Sequence, residues 1–224
     1  MLKNFNVNVL EKYLNRYQIS GIKGVATGDL LIAGKIRSPQ LKGSVSLSEA
    51  EFVYDYLKLK ALTEDKLYIE NNGFFLRTFK VKDENGNLGY VNGGITHKNF
   101  KDFRFDLNFS LTDFKVINTK LADNNLFYGT VYATGGLTLE GTPQKLNVYA
   151  NAETQVGSKF ILPLADSYQE ENFSFLTFVT PEDLEVSEDF KKKASSMAGY
   201  DIRLDIGVDE ATEFQIVFDQ RAGD

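Results

Sequence analysis

Phe103-Arg104-Phe105-Asp106-Leu107-Asn108-Phe109-Ser110 alternates without a break, apolar on one side and polar on the other. Successive side chains of a strand point to opposite faces of a sheet, so this writing specifies a β-strand buried on one face only. The pattern recurs in Leu30-Leu31-Ile32-Ala33-Gly34-Lys35-Ile36, in Leu41 to Leu47, in Val131 to Leu139 and in Leu146-Asn147-Val148. It returns in Tyr200 to Ile206 and in Phe214-Gln215-Ile216-Val217-Phe218. A chain written this way is expected to fold as all-β sheet with one dry face. That face either packs on another sheet face, as in a sandwich, or stays partly open to an apolar ligand. Pattern alone does not separate the two, and function turns on which it is.

With 224 residues, 42% of them hydrophobic, the chain is long enough to bury a core and reads as a single domain over 1–224. A net charge of −6 and a pI near 5.0 argue against nucleic acid, whose phosphates demand a basic surface. Cysteine is absent, which removes disulfides, thiolate metal sites and Cys nucleophiles. No basic, apolar leader opens the chain, and no run reaches the roughly 20 apolar residues of a membrane-spanning helix.

One helix is expected, over Val9 to Tyr17, where Val9, Leu10, Tyr13, Leu14 and Tyr17 share a stripe and Gly21 and Gly24 would end it. Turns are expected at Ser38-Pro39-Gln40, Asn85-Gly86-Asn87, Gly93-Gly94, Gly141-Thr142-Pro143 and Asp209-Glu210, with a type I′ hairpin at Asn85-Gly86. A loose repeat of strand, glycine, turn and strand over Gly28 to Leu47, Gly89 to Phe109 and Val131 to Ala152 favours an elongated stack over a Greek key. The segment 180–199, acidic and then Lys191-Lys192-Lys193, reads as a crossover loop with a short helix.

Catalytic chemistry is sparse. His97, the single histidine, is expected at a strand end facing solvent and is given no catalytic role. Asp83-Glu84-Asn85-Gly86-Asn87 lacks the twelve-residue spacing of a calcium loop and reads as a plain turn. The pairs Glu182/Asp183 and Glu188/Asp189 read as solvated charges, and Gly135-Gly136 lacks the Lys-Ser/Thr of a phosphate loop. No enzyme, cofactor or metal is expected.

The run Gly28-Asp29-Leu30 through Pro39-Gln40-Leu41-Lys42-Gly43-Ser44-Val45 resembles the "G…G…P-x-L-x-G" repeat unit of the TamB family. Ser48 to Tyr54 and Tyr90 to Phe100, followed by the Phe-Arg-Phe-Asp-Leu strand, continue it. Tyr128-Gly129-Thr130-Val131-Tyr132-Ala133-Thr134-Gly135 is similar to the family's "yG…a.G" strand. Phe160 to Leu164, with Leu204 through Asp224, resembles the C-terminal region of its Bacteroidetes-type members. Such proteins begin with an inner-membrane anchor and continue past the final Gly-Asp, so this chain is expected to be a piece from within the C-terminal domain, with Met1 an added start.

The resemblance implies a β-taco, an elongated curved sheet folded into a U-shaped groove with an apolar interior. It implies a periplasmic bridge between inner and outer membrane that moves phospholipid and supports outer-membrane protein assembly, beside a TamA-like outer-membrane barrel. The groove would be lined by Leu30, Ile32, Ile36, Leu41, Val45, Leu47, Phe103, Phe105, Leu107, Phe109, Val131, Leu137, Leu139, Leu146, Val148, Phe160, Leu162, Ile202, Leu204, Ile206, Phe214, Ile216 and Phe218. Its expected occupants are phospholipid or detergent, and a homodimer of the piece is the further expectation. Two other readings stand beside it. One is a chaperone-like module whose sheet edge pairs with barrel strands. The other is a carbohydrate-binding or adhesive domain displaying Tyr54, Tyr56, Tyr128, Tyr132 and Tyr149.

Overall fold

The computed structural model describes residues 1–35, 38–163 and 200–217. Its thirteen strands form one sheet: β1 Leu2–Asn6, β2 Ile19–Lys35, β3 Ser38–Tyr54, β4 Leu59–Thr63, β5 Lys66–Glu70, β6 Gly73–Lys82, β7 Leu88–Lys98, β8 Lys101–Thr119, β9 Tyr128–Thr142, β10 Lys145–Thr154, β11 Lys159–Pro163, β12 Tyr200–Gly207 and β13 Glu213–Val217. Neighbours in sequence are neighbours in space through β10, as the hairpin repeat predicts. β4 and β5 act as one broken strand between β3 and β6, and β10 and β11 as another along β9. β12 and β13 then lie parallel to β10 and β11. The expected crossover at 180–199 lies outside the described residues.

The sheet bends because residues are inserted into its strands. Register slips between Leu76 and Phe79 on β6 and between Leu111 and Phe114 on β8, leaving Thr78 and Asp113 at φ 49°. Such bulges bend a strand and sharpen its twist, but each leaves an amide out of the ladder. Both of these amides find a side chain on the neighbouring strand. Asn92 Oδ1 accepts from Thr78 N at 2.6 Å and Thr134 Oγ1 from Asp113 N at 2.9 Å. Away from these two bulges, Asp65 Oδ2, Ser158 Oγ and Thr154 Oγ1 accept in the same way from Lys80 N, Tyr132 N and Asp209 N.

In a flat sheet β4 and β8, three strands apart, would stand about 14 Å from each other. Here they touch. Leu47 of β3 and Leu59 of β4 pack on the cluster of Phe79, Val81, Val91, Leu107 and Phe114, and Asn118 N donates to Leu57 O at 2.9 Å. The sheet is therefore folded over on its apolar side, a U in cross-section. A second cluster, Val7, Ile22, Ala26, Val45 and Ile69, fills the β1–β5 end.

Several local expectations change. The helical segment runs Val7–Tyr17 as two 3₁₀ turns flanking one α-turn, Glu11–Leu14. It ends at Gln18, which takes the left-handed conformation (φ 59°) and donates to Asn15 O, so Gly21 and Gly24 belong to β2 instead. Val7 and Leu14 pack inward, while Val9, Leu10, Tyr13 and Tyr17 are exposed. Gly93-Gly94 is no turn: both residues sit inside β7, paired with Leu107 and Asp106. Gly93 is required there because its φ is +116° and a Cβ would collide with the Asp106 carbonyl. Ser38-Pro39-Gln40 opens β3, with Gly34 opposite Pro39, and the Gly141 turn narrows to Pro143-Gln144.

The Asn85-Gly86 hairpin exists, but as a five-residue turn, Asp83 to Asn87, in which Gly86 alone has positive φ. Asp83, fully buried, organises it: Oδ1 accepts from the amides of Asn85 and Asn87, and Oδ2 from Asn87 Nδ2 and from Lys115 N on β8. Positive φ at both central residues, the requirement of a type I′ turn, occurs at Asn99-Phe100.

Candidate functional site

Residues opposite one another on paired strands point to the same face. Following the register across β6 to β12 gives rows with no polar side chain. One is Leu76, Gly93, Leu107, Leu139, Val148, Ile202; the next is Phe79, Val91, Phe109, Leu137, Ala150, Leu204; a third is Val81, Gly89, Leu111, Gly135, Ala152, Ile206. Phe74, Ile95, Phe105, Gly141 and Leu146 form a fourth, and Ile69 extends it to Gly43 and Leu30. Val45 with Gly28, Leu41 with Ile32 and Leu47 with Ala26 carry the same face across β3 and β2. The rows run across the strands, along the length of the stack.

Of the residues expected to line a groove, Phe103 shares the alternation of Phe105, and Phe160 and Leu162 join the face opposite Phe214 and Ile216. Phe160 also lies opposite Gly129, on the β9 alternation that includes Val131. Ile36 and Phe218 lie outside the described residues. The rest share one face, but not one environment. Val45, Leu107, Val131 and Leu162 are buried, the middle positions of β8 to β10 are half-buried, and β12 and β13 are open. Leu107 is 8% exposed and Leu204, three strands along, 54%. Ile32, at the far end of β2, is also exposed.

An aromatic ladder borders this face where the sheet closes. Tyr54, Tyr56, Phe127, Phe160 and Phe214 follow one another at centroid distances of 6.4, 5.8, 5.7 and 5.6 Å, linking β3 to β13. Tyr54 and Tyr56 therefore pack on other rings, while Tyr132 carries Lys115 Nζ 5.4 Å above its ring. Phe127 was legible only as one more phenylalanine, because its place depends on a loop meeting another loop.

His97 departs from expectation. It is buried, not solvent-facing, stacked on Phe100 at 4.3 Å with Phe74 and Phe103 at 5.6 and 5.7 Å. Its Nδ1 accepts from Phe100 N at 3.3 Å, which ties the ring to the Asn99-Phe100 turn. Burial holds its pKa below the ordinary 6.5. Among the described residues no group of three or more metal-binding side chains converges, and the acidic pairs at 182–183 and 188–189 lie outside them. Among the described residues, shallow concavities of about 320 and 600 Å³ lie away from the apolar rows, the first beside Tyr149 and Arg203, the second beside Asn85, Tyr132 and Gln155.

These features define a class: a single open sheet, folded along its length and kept apolar on the inside. The chain belongs to the TamB family: the model for the TamB C-terminal domain matches residues 77–222. No curated protein and no solved structure matches it. Membership connects the chain with the outer-membrane assembly machinery of the cell envelope. Among the described residues no helix is long and apolar enough to cross a membrane.

Proposed function

We propose that this domain shelters phospholipid acyl chains on its apolar face as part of a periplasmic bridge between inner and outer membrane. The observation that carries the reading is the set of uninterrupted apolar rows, buried at Leu107 and open at Leu204. Six strands at about 4.8 Å spacing make each row roughly 24 Å long. Half the thickness of a bilayer core, the reach of one acyl chain, is about 15 Å. The rows are long enough to hold a chain lengthwise.

Burying a methylene is worth about 0.8 kcal/mol, so a sixteen-carbon chain loses roughly 13 kcal/mol of stabilisation on entering water. A face of Leu, Ile, Val and Phe replaces most of it. Exchange between bilayer and domain would then be nearly neutral. The domain would lower the barrier of crossing water and would leave direction to other components. The role is binding and not catalytic, in keeping with a sole histidine sequestered under three phenylalanines.

Delipidated protein should take up a fluorescent acyl probe in a way that depends on chain length, and native mass spectrometry should find phospholipid or detergent on the purified protein. Failure of both sinks the reading. The free edge at β12, to which no described strand other than β10 pairs, supports the second reading, strand addition by an outer-membrane barrel protein or a second copy. An extended barrel-derived peptide that binds without displacing the acyl probe would favour it.

A further inference from the structure

The helical segment Val7–Tyr17 turns a second apolar surface outward. Val7 and Leu14 fix it to the β1–β5 cluster, and Glu11 Oε2 accepts from Ile22 N at 3.1 Å, which points the segment's one acid at β2. On the other side Val9, Leu10, Tyr13 and Tyr17 are 51, 42, 62 and 45% exposed. Lys12 and Arg16 lie among them in the same segment, both exposed, and neither makes an ion pair with a described residue. Arg16 lies 4.8 Å above the Tyr17 ring, so its charge stays at the surface beside an aromatic. Two cations without an ion-pair partner among the described residues, set among exposed apolar side chains, stand out on a chain of net charge −6.

We propose that this face is a docking surface for an anionic lipid bilayer. Tyrosines place a polar tip and an apolar body at the headgroup boundary, Val9 and Leu10 enter below it, and Lys and Arg meet the lipid phosphates. Charge complementarity selects this occupant over zwitterionic lipid, because each cation near an anionic surface adds a comparable increment of attraction that salt screens. The helical segment would thus hold the β1–β5 end of the sheet against a membrane. The inference is independent of the acyl-chain reading, since these side chains lie outside the apolar rows.

The chain has no tryptophan, so Tyr13→Trp gives a single reporter. Its emission should shift to the blue on adding phosphatidylcholine vesicles containing about 30% phosphatidylglycerol, whose negative surface potential attracts basic segments, and should not shift with pure phosphatidylcholine. Lys12→Glu with Arg16→Glu in that background should weaken partitioning by more than about thirtyfold, the loss expected from removing two cations alone, and raised salt should weaken binding of the parent. Tyr13→Ser with Val9→Ser should abolish co-sedimentation of the otherwise native chain, while Leu204→Ser should leave it intact. Equal binding to both vesicle types, no effect of charge reversal, or a concentration-dependent dimer removed by Tyr13→Ser without vesicle binding would each overturn the proposal. Acyl-probe uptake unaffected by Lys12→Glu/Arg16→Glu would show that docking and the trough reading fail or stand separately.

Discussion

Asp83→Asn replaces one oxygen atom with an NH₂ group, yet the structure gives it a large effect. The carboxylate collects four N–H donors and is fully buried. An asparagine keeps one oxygen for the amides of Asn85 and Asn87. Its NH₂ then confronts Asn87 Nδ2, which keeps only its bond to Asp113 O at 2.7 Å, and Lys115 N, so both lose the bond they give to Oδ2. A net bond to a charged group is worth about 1.5–3 kcal/mol, so losing two costs about 3–6 kcal/mol. For a chain of this size that lowers Tm by about 10 °C or more. Urea unfolding followed by circular dichroism measures the loss, and amide exchange at Lys115 should quicken first, because that bond ties the hairpin to β8. Asp83→Ala should be worse, since all four bonds to the carboxylate are lost and only Asn87 Nδ2 keeps another acceptor, Asp113 O. A Asp83→Asn chain within 1 kcal/mol of the parent would refute the idea that captured amides, rather than packing alone, hold the bends.

Other outcomes follow from the same structure. Gly93→Ala should cost several kcal/mol because its Cβ meets the Asp106 carbonyl, whereas Gly86→Ala, with open space around it but φ +90°, should cost about 1 kcal/mol, a contrast readable in paired urea midpoints. Leu107→Ala should lose about 2–4 kcal/mol, while Leu204→Ala should barely change stability yet weaken acyl-probe binding. His97 is held below its ordinary pKa, so the unfolded chain binds its proton first: stability should fall as pH drops through the unfolded value of 6.5, and His97→Phe should flatten that descent. Glu51, held below its ordinary value by Lys23 and Lys60, contributes stability above the unfolded glutamate pKa that is lost as pH falls through the folded one; Glu51→Gln should remove that component of acid unfolding.

The strands and their shared face were legible because alternation is local: Phe103 to Ser110 names its own buried side. The bends were not, because the inserted residues Thr78 and Asp113 look like ordinary polar positions of a strand. Their role exists only through Asn92 and Thr134 on other strands. Glycine misled in the opposite direction. Gly93 and Gly94 suggest a turn by composition, but here they let neighbouring backbone and the Phe75 ring approach within a strand. His97 was misplaced because nothing in Gly-Ile-Thr-His announces three phenylalanines from different positions closing over it. The apolar stripe of the helical segment was legible, but its outward orientation was not, since period alone cannot say which side a short helix presents.

The edge of β12, to which no described strand other than β10 pairs, has a simple geometric consequence. A polypeptide segment that hydrogen-bonds to it inherits its spacing, and every row gains one more place, about 4.8 Å further on. Length in such an architecture is counted in strands, like boards added to a floor, without any rearrangement of those already laid.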